Sequence, residues 1–435
     1  MIDTVAAFLT RYNAVLVTSV PNSAATHPLR SDGQKIPRVA LITDSFYEVN
    51  GVARVSREFG AYARERSLPL LCIHAGPCRS KIQDGSVTAV EFPRSPLRMT
   101  LDGSLAFDFL ISRHATAIST AITEFGADLI HITGPGDFGM VAAYLSHKLH
   151  IPLFASWHTN LHEYAGQRLA AVTSFLPART RDKLRDAATR QALYWLLKFH
   201  QIPRVIFAPN EDLVSLIHQR LRRQTYLMPH GVDTELFSPE HRSAQSRVFT
   251  LGYVGRLTPE KNVRLLAEIE RKLLLTGCGS FRFLVVGDGL ERHWLENNLK
   301  TADFTGFLSG VDLAGAYSQM DLLFFPSETE TFGLVVIEAM ASGVPVVVSD
   351  VGGPKYQVRH GVDGFVARNA DCYVAAARHL MGDPAALLRM REAARYGSSS
   401  RTWTHTFDEL YSRYALWLAS ADHERYLNHL PASPH

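Results

Sequence analysis

Short, nearly uninterrupted apolar segments recur along the 435-residue chain, and segments with a helical spacing of apolar residues separate them. Strands that are buried on both faces read as continuous apolar runs. The pattern therefore predicts an α/β architecture, in which helices cover both faces of a parallel sheet. Because it occurs twice, we expect two doubly wound domains. The apolar segments are residues 39–43, 70–74, 129–133 and 151–156, and then 249–254, 281–286, 322–325 and 344–348.

Changes in composition indicate where the domains begin and end. Residues 1–35 mix small and polar residues without periodicity, so they are predicted to be a poorly ordered lead-in. The first domain is predicted to span 36–240, and the second 241–400. In 401–435, apolar residues at helical spacing predict a buried helix that packs back across the domains. These residues are Trp403, Phe407, Leu410, Tyr411, Tyr414 and Trp417.

The composition, 46% hydrophobic and 20% charged, is that of a soluble globular protein. Four scattered cysteines show neither a disulfide framework nor metal-ligand spacing, which favours a reducing cytoplasm. No segment provides the ~20 apolar residues of a membrane-spanning helix, and the N-terminus does not match a signal peptide. The net charge is +3, with +6 on residues 1–247 and −3 on the rest. So small an excess favours solubility over nucleic-acid binding.

Two glutamates lie eight positions apart, where a predicted strand leads through a polar loop into a helix. Glu330 lies in the loop, and Glu338 lies in the helix predicted at 334–341. Apolar neighbours surround Glu338, and a buried carboxylate is costly unless something polar meets it. A ribose diol would supply two hydroxyl donors, and Glu330 could meet another hydroxyl or a developing positive charge. Solvent or a neighbouring arginine is the structural alternative for Glu338.

Arg256 and Lys261 follow the first strand predicted in the second domain. Thr258 is predicted to cap a helix and Pro259 to occupy its first position, which places Lys261 in the first turn. The helix dipole disfavours a cation there unless an anion binds at the same end. The segment therefore predicts a pyrophosphate held by Arg256 and Lys261. A solvated lysine beside Glu260 is the alternative.

Polar residues and glycines also follow other predicted strands. His158, Thr159, Asn160 and His162 follow the strand at 151–156, although a lone histidine is more often structural. In the first domain, Asp137 is predicted to cap a helix that begins at Phe138. Glycines where a backbone can approach a ligand closely are Gly51, Gly287, Gly289, Gly352 and Gly353. The GxGxxG spacing is incomplete at Gly287, which disfavours a nicotinamide coenzyme.

With these residues placed, residues 38–400 resemble retaining glycosyltransferase family 4, which includes sucrose-phosphate synthases, phosphatidylinositol mannosyltransferases and sulfoquinovosyldiacylglycerol synthases. The most specific shared pattern is Glu-x7-Glu, here Glu330 to Glu338. A departure is Lys355, where many relatives carry an acidic residue. The other matches are Asn50 and Gly51, Gly231 to Asp233, Gly255 and Arg256 with Lys261, and Gly287 to Gly289.

The resemblance implies a GT-B fold, in which two Rossmann-like domains face each other across a cleft. It implies retaining, metal-independent transfer of a hexosyl group from a nucleoside-diphosphate sugar, with a UDP-sugar favoured and no further cofactor. Residues given a catalytic role are Glu330, His158, Arg256 and Lys261. Donor contacts are Gly51, Arg256, Lys261, Gly287, Leu308, Glu330, Phe332, Gly333, Leu334 and Glu338. Acceptor contacts are Tyr47, Asn50, Asp137, Thr159 and Asn160.

The acceptor is expected to be a hydroxyl compound, with a lipid as a candidate by resemblance. Residues 163–200 combine seven Lys and Arg with apolar side chains, which predicts either helices resting on the inner face of the membrane or helices covering the acceptor site of a soluble cytoplasmic enzyme. The alternatives to a transferase are a GT-B epimerase or phosphorylase, and a non-catalytic regulator that binds sugar nucleotides.

Overall fold

The structure is a computed structural model that describes most of the chain from residue 35 onward. The predicted lead-in, apart from residue 35, lies outside the described residues, and so does His162. For residues 99–102, 105 and 106 only the backbone is described. The described residues are 35–102, 105–160, 166, 169, 172, 173, 175, 177–242, 248–277, 279–420, 424 and 426.

The strands of the first half of the chain form an eight-stranded sheet and a separate antiparallel hairpin, β5–β6. The sheet has the order β10-β9-β8-β7-β1-β2-β4-β3. Pairing is parallel from β8 through β7, β1 and β2 to β4, and β3 runs antiparallel at the edge. The strands are β1 Val39–Thr43, β2 Leu70–Gly76, β3 Ser80–Asp84, β4 Val87–Pro93, β5 Met99–Asp102, β6 Leu105–Phe107, β7 Leu129–Ile132, β8 Leu153–Ser156, β9 Val205–Ala208 and β10 Gln224–Leu227.

The second sheet has six strands in the order β13-β12-β11-β14-β15-β16, and every neighbouring pair is parallel. Side chains of alternating residues enter two different cores, so both faces of this sheet are buried. Leu251, Phe283 and Phe324 belong to one core, whereas Leu284 and Phe325 belong to the other. The strands are β11 Phe249–Val254, β12 Phe281–Val286, β13 Ala302–Gly306, β14 Leu322–Phe325, β15 Val346–Ser349 and β16 Gly364–Ala367.

Helices make most of the connections between parallel strands, and the edge strand β3 connects β2 to β4. Short 3-10 turns lie at Ile111–His114, Pro239–His241, Pro259–Lys261 and Gly353–Gln357. The α-helices are α1 Gly51–Glu65, α2 Ala115–Phe125, α3 Asp137–Leu149, α4 Ala178–Phe199, α5 Glu211–Leu221, α6 Leu265–Leu275, α7 Arg292–Asn298, α8 Gly310–Gln319, α9 Leu334–Ala341, α10 Ala370–Gly382, α11 Pro384–Ser399 and α12 Trp403–Leu418.

The chain divides into two compact units. One contains residues up to 156, together with 199–206 and the residues after 408. The other contains 157–198 and 207–408. All six aromatic and leucine residues of the stripe in α12 are buried, which confirms the prediction that they are core residues. Within the first unit, the Tyr414 hydroxyl hydrogen-bonds Nδ1 of His131 at 2.5 Å.

Candidate functional site

The order of the second sheet reverses at its centre, between β11 and β14. The chain runs from β11 outward to β13, returns to β14 beside β11, and continues outward to β16. In open α/β sheets, ligands bind beyond the carboxyl ends of the strands at such a reversal. The loops that leave these two strands there carry Lys261 and Glu330.

Lys261 and Glu330 form an ion pair between the two loops, with Nζ against Oε1. The Lys261 side chain is almost fully buried, whereas that of Glu330 is 28% exposed. A buried ammonium is costly unless it is paired, so the carboxylate stabilises the lysine in this position. Nearby, Nη2 of Arg256 lies 3.6 Å from Oε1 of Glu260. Two cations therefore stand in the loop after β11, each close to a carboxylate.

Thr258 and Pro259 occupy the predicted N-cap and first positions, but the helix that they begin is not an α-helix. Pro259–Lys261 form a single 3-10 turn, and the α-helix begins only at Leu265. The Thr258 hydroxyl donates to Oε1 of Glu260 at 2.7 Å and makes no capping hydrogen bond to a backbone amide. A single 3-10 turn has a negligible helix dipole. The pairing with Glu330 therefore sets the position of Lys261.

The loop that carries Glu330 is fixed by hydrogen bonds from two neighbouring segments. The Asn210 side-chain amide donates to the carbonyl of Thr331 at 2.5 Å. The backbone N–H of Gly353 donates to the carbonyl of Glu330 at 2.7 Å. Gln357 donates to the carbonyls of the two residues that follow Thr331. A loop held in this way is organised before any ligand arrives, which is what positioning and electrostatic catalysis require.

Helix α9 places Glu338 next to a tyrosine from α8. The helix begins at Leu334, directly after Phe332 and Gly333, as the sequence predicts. Glu338 is 8% exposed, which confirms its predicted burial. Its Oε2 accepts a hydrogen bond from the Tyr317 hydroxyl at 2.9 Å, so a tyrosine is one polar partner of this carboxylate.

Gly287 and Leu308 lie in the loops that follow β12 and β13. A Cβ on Gly287 would lie 1.9 Å from the carbonyl oxygen of Gly255, and its φ of +134° also requires glycine. This glycine is therefore explained by the close packing of its loop against the loop after β11. Leu308 is partly buried against the second core.

His158 is buried and faces a second histidine that the sequence reasoning missed. Nδ1 of His158 lies 3.1 Å from Nε2 of His230. The Thr331 hydroxyl donates to the His158 carbonyl at 2.5 Å, which joins this histidine to the loop of Glu330. Burial lowers the pKa of His158 to about 4, so the ring is neutral at pH 7. His230 directly precedes Gly231, which belongs to the family pattern. That position was the only signal in the sequence that could have pointed to His230.

Two further predicted residues follow His158. Thr159 is partly exposed, and Asn160 is buried. The Oδ1 atom of Asn160 has no hydrogen-bond partner within the described part of the chain. A buried amide oxygen without a partner is costly, so a ligand hydroxyl would be a favourable neighbour.

The first sheet also reverses its order, between β1 and β7, and a charged cluster lies beyond these strands. Arg94 donates to the Asp137 carboxylate at 3.0 and 3.1 Å and to the Asp44 carbonyl at 2.9 Å. Burial, together with the neighbouring Asp137 carboxylate, raises the pKa of Asp44 well above its ordinary value. The prediction that Asp137 caps α3 is wrong, because Gly136 occupies the capping position and the Asp137 carboxylate binds Arg94.

The remaining predicted acceptor residues lie in the loop after β1. Tyr47 is exposed, and its hydroxyl donates to the buried Glu91, which raises the pKa of the tyrosine to about 12. Asn50 caps α1 by accepting from the Ala53 N–H at 2.9 Å. Gly51 is the first residue of that helix. Asn50 thus has a structural role whatever else it binds.

Lys355, the departure from the family pattern, has a local explanation. Its Nζ lies 3.0 Å from Oδ2 of Asp212 on α5. Hydrogen bonds from Tyr356 and from Lys355 lower the pKa of that aspartate. The basic residue therefore belongs to an ion pair next to the Gly352–Gly353 turn.

The predicted insertion, residues 163–200, is described mainly by α4, whose side chains are largely exposed. In the part of the chain that is described, no helix combines the length and the apolar character needed to cross a membrane. Over the same residues, no group of three or more His, Cys, Asp or Glu side chains is placed to hold a metal ion.

Two largely parallel sheets whose strand order reverses at the centre, with charged residues beyond each reversal, are the arrangement expected of the GT-B class. Comparison with known sequences supports this. Residues 49–236 match the family model described as Glycosyltransferase Family 4, and residues 248–383 match Glycosyl transferases group 1. The chain belongs to glycosyltransferase family 4, as the sequence predicts.

The relatives show how far the similarity extends. A GDP-mannose-dependent alpha-mannosyltransferase of Mycolicibacterium smegmatis is 30% identical, over 87% of this chain and 96% of that protein. The sulfoquinovosyl transferase SQD2 of Arabidopsis thaliana is 28% identical, over 87% of this chain and 74% of that protein. The solved sucrose-phosphate synthase of Thermosynechococcus elongatus has a TM-score of 0.67 at 19% identity, over 88% and 99% of the two chains. The predicted GT-B fold is confirmed.

Proposed function

We propose that the chain transfers a hexosyl group from a nucleoside-diphosphate sugar to a hydroxyl acceptor with retention of anomeric configuration. The observation that carries the proposal is the Lys261–Glu330 pair at the reversal of the second sheet, with Glu338 on the helix that follows. In this arrangement Glu338 binds the ribose, Glu330 contacts the donor sugar, and Arg256 and Lys261 bind the diphosphate. An ammonium has three N–H groups, so it can serve a carboxylate and a phosphate together.

The proposed chemistry places the proton transfer on the substrate itself. The bond between the anomeric carbon and the diphosphate oxygen breaks, and the acceptor oxygen bonds that carbon on the same face. The acceptor proton goes to the departing phosphate oxygen. The enzyme contributes by positioning the two substrates and by stabilising the negative charge that develops on the diphosphate, through Arg256 and Lys261.

For the donor, we propose GDP-mannose as the first compound to test. The support is the name of the mycobacterial relative, which is described as GDP-mannose-dependent and aligns over nearly its whole length. UDP-sugars, which the sequence resemblance favours, form the second group.

For the acceptor, we propose a lipid hydroxyl at the cytoplasmic face of a membrane. Five large apolar side chains are exposed on three loops beyond the carboxyl ends of β1, β4 and β6 in the first unit. Hydrogen bonds of Arg94 and Asp108 join these loops, and Arg98 is exposed beside them. A patch of this kind suits a partner that is apolar and carries anionic headgroups. Its members are Tyr47, Val49, Leu97, Phe109 and Leu110.

Release of nucleoside diphosphate from a panel of GDP-, UDP- and ADP-sugars, with and without a lipid extract, tests the proposal. We expect one donor to give release that rises when the acceptor is added. Binding of a nucleotide without release from any donor would instead identify a non-catalytic regulator. Conversion of the sugar without release of the nucleotide would identify an epimerase, and phosphate-dependent cleavage a phosphorylase.

A further inference from the structure

His230 is enclosed by aromatic rings and points one ring nitrogen at His158. Its ring centroid lies 4.7 Å from that of Phe332 and 6.1 Å from that of Trp403. The residue is 4% exposed, and its Nε2 is the atom that lies 3.1 Å from Nδ1 of His158. Within the described residues, its other ring nitrogen, Nδ1, is buried without a hydrogen-bond partner.

The backbone around His230 is fixed on both sides. The Thr406 hydroxyl donates to the carbonyl of Pro229 at 3.0 Å. The N–H of Val232 donates to the carbonyl of Arg401 at 2.9 Å. Between them, a Cβ on Gly231 would lie 2.2 Å from the backbone nitrogen of Trp403, so only glycine permits this approach. These contacts fix the backbone that carries His230, and the two aromatic rings pack against its side chain.

The unpartnered nitrogen decides which histidine donates. If His158 donated from Nδ1, His230 would accept at Nε2 and carry its own proton on Nδ1, as a buried N–H without a partner. Orphaned buried N–H groups are rarer than orphaned acceptors. If His230 donates from Nε2, its Nδ1 is a bare lone pair, and His158 must carry its proton on Nε2. The second arrangement is therefore favoured, because the buried atom without a partner is an acceptor, Nδ1 of His230, and not an N–H group.

We propose that His230 is a positioning residue that holds His158 as its neutral Nε2-protonated tautomer. This rests on the proposed function, in which His158 contacts the transferred sugar. His158 then offers an N–H donor to a sugar oxygen, and it neither accepts the acceptor proton nor brings a positive charge. Burial lowers the pKa of both rings, which keeps the pair neutral at pH 7.

Kinetics of His230 variants test the proposal on the enzyme with its selected donor. We expect His230→Leu to lower kcat about 10-fold to 100-fold with KM for the donor nearly unchanged, since comparable orienting partners have effects of this size. His230→Gln, whose side-chain amide can still donate to Nδ1, is expected to recover most of the lost kcat. Equal losses in both variants, or full activity of His230→Leu, would overturn the proposal. His218→Gln, on the exposed end of α5, is the control for losing a histidine.

Nitrogen-15 NMR of ring-labelled histidine tests the tautomer without any catalysis. In the wild-type protein we expect the His158 ring to carry its proton on Nε2, with a His158→Gln variant identifying its signals. A proton on Nδ1 of His158 would refute the proposal, even if the protein folds and transfers sugar normally. Conversely, a protein that transfers no sugar but shows the expected tautomer would contradict the proposed function. The assignment of the His158 tautomer would still hold.

Discussion

Glu330, Glu338 and Asp44 are carboxylates held in partly or fully buried positions, and each has a different neighbour. Glu330 meets the ammonium of Lys261, Glu338 meets the hydroxyl of Tyr317, and Asp44 lies beside a second carboxylate, Asp137. Removing one partner of a buried polar pair leaves the other unsatisfied. The three sites should therefore respond differently to substitution.

The two glutamates are expected to divide binding from turnover. Glu338→Ala should weaken donor binding about 10-fold or more, because a charged hydrogen-bond acceptor contributes roughly 1.5–3 kcal/mol. Glu330→Ala should mainly lower kcat. Isothermal titration with the donor and steady-state kinetics measure both quantities. Tyr317→Phe, which keeps the Glu338 carboxylate, is the control and should bind the donor more tightly than Glu338→Ala. Equal effects of the two alanine variants on binding and turnover would contradict these roles.

Asp44 should make stability depend on pH in a direction opposite to that of an ordinary ion-paired aspartate. Its pKa is raised in the folded protein, so the folded state holds a proton that the unfolded chain releases above its ordinary value of 3.8. Its contribution to stability therefore falls as pH rises from about 4 towards the folded pKa. Asp44→Asn does not titrate, and its amide oxygen can still accept from the Phe138 N–H.

Urea unfolding at a series of pH values checks this expectation. The free energy of unfolding of Asp44→Asn, minus that of the wild type, should increase between pH ~4 and neutrality. A difference that is flat, or that decreases over this interval, would show that Asp44 is ionised in the folded protein.

At the scale of elements, the parts of the chain that the sequence predicted best are those buried on both faces. The predicted strands 249–254, 281–286 and 322–325 and the predicted helix 334–341 agree with the structure at both ends. Continuous apolar runs mark such strands clearly. The edge strands β3 and β10 and the hairpin β5–β6 were not predicted, since a half-exposed strand lacks that signal. The short strand β9 was also missed, although it is buried.

The local capping predictions failed for a different reason. Thr258 and Asp137 both stand where a capping residue is common, yet each side chain bonds a charged neighbour instead. The Thr258 contact is local, whereas Asp137 pairs with Arg94, 43 residues away, and a contact between such distant residues leaves no mark on sequence spacing. The same applies to His230, whose partner His158 lies 72 residues away. The burial of Glu338 and the position of Glu330 in the loop before its helix could be predicted, because their motif is local.

A matched pair of capping residues separates structure from acceptor binding. Asn50 and Asn369 each accept a hydrogen bond from the amide three residues later, at 2.9 and 3.1 Å. Replacing either with alanine should cost about 1 kcal/mol of stability. Only Asn50→Ala should also raise KM for the acceptor, if Asn50 contacts it. Thermal unfolding and kinetics of both variants decide this, and an unchanged acceptor KM in Asn50→Ala would leave Asn50 with capping alone.

At the scale of the whole molecule, both sheets are organised alike, with charged residues beyond the strands where the order reverses. The sequence predicted this architecture and the family, because repeated apolar strands and a Glu-x7-Glu motif are visible without coordinates. It did not reveal Arg94 and Asp44 as parts of the first cluster, since their pairing joins distant loops. Apolar loop residues that remain exposed are likewise visible only in the structure.

Vesicle flotation tests the proposed membrane contact. Wild-type protein should float with anionic vesicles at low salt, and the double variant Leu97→Ser with Phe109→Ser should not, because it loses two strongly exposed apolar residues of the patch. Leu275→Ser, an equally exposed leucine of the second unit, should float normally. A separate double variant, Lys183→Glu with Arg190→Glu, tests whether the basic side chains of α4 also bind the vesicles, in which case this variant should float less than the wild type. Failure of the wild type to float would reject both surfaces.

The most direct test of the central claim is proton NMR of the reaction over time, with the donor that the release assay selects and a lipid acceptor. We predict that nucleoside diphosphate and a glycoside with the anomeric configuration of the donor appear together, and that Lys261→Ala abolishes both signals. A first product of inverted configuration, or no transfer from any nucleoside-diphosphate sugar, would contradict the claim.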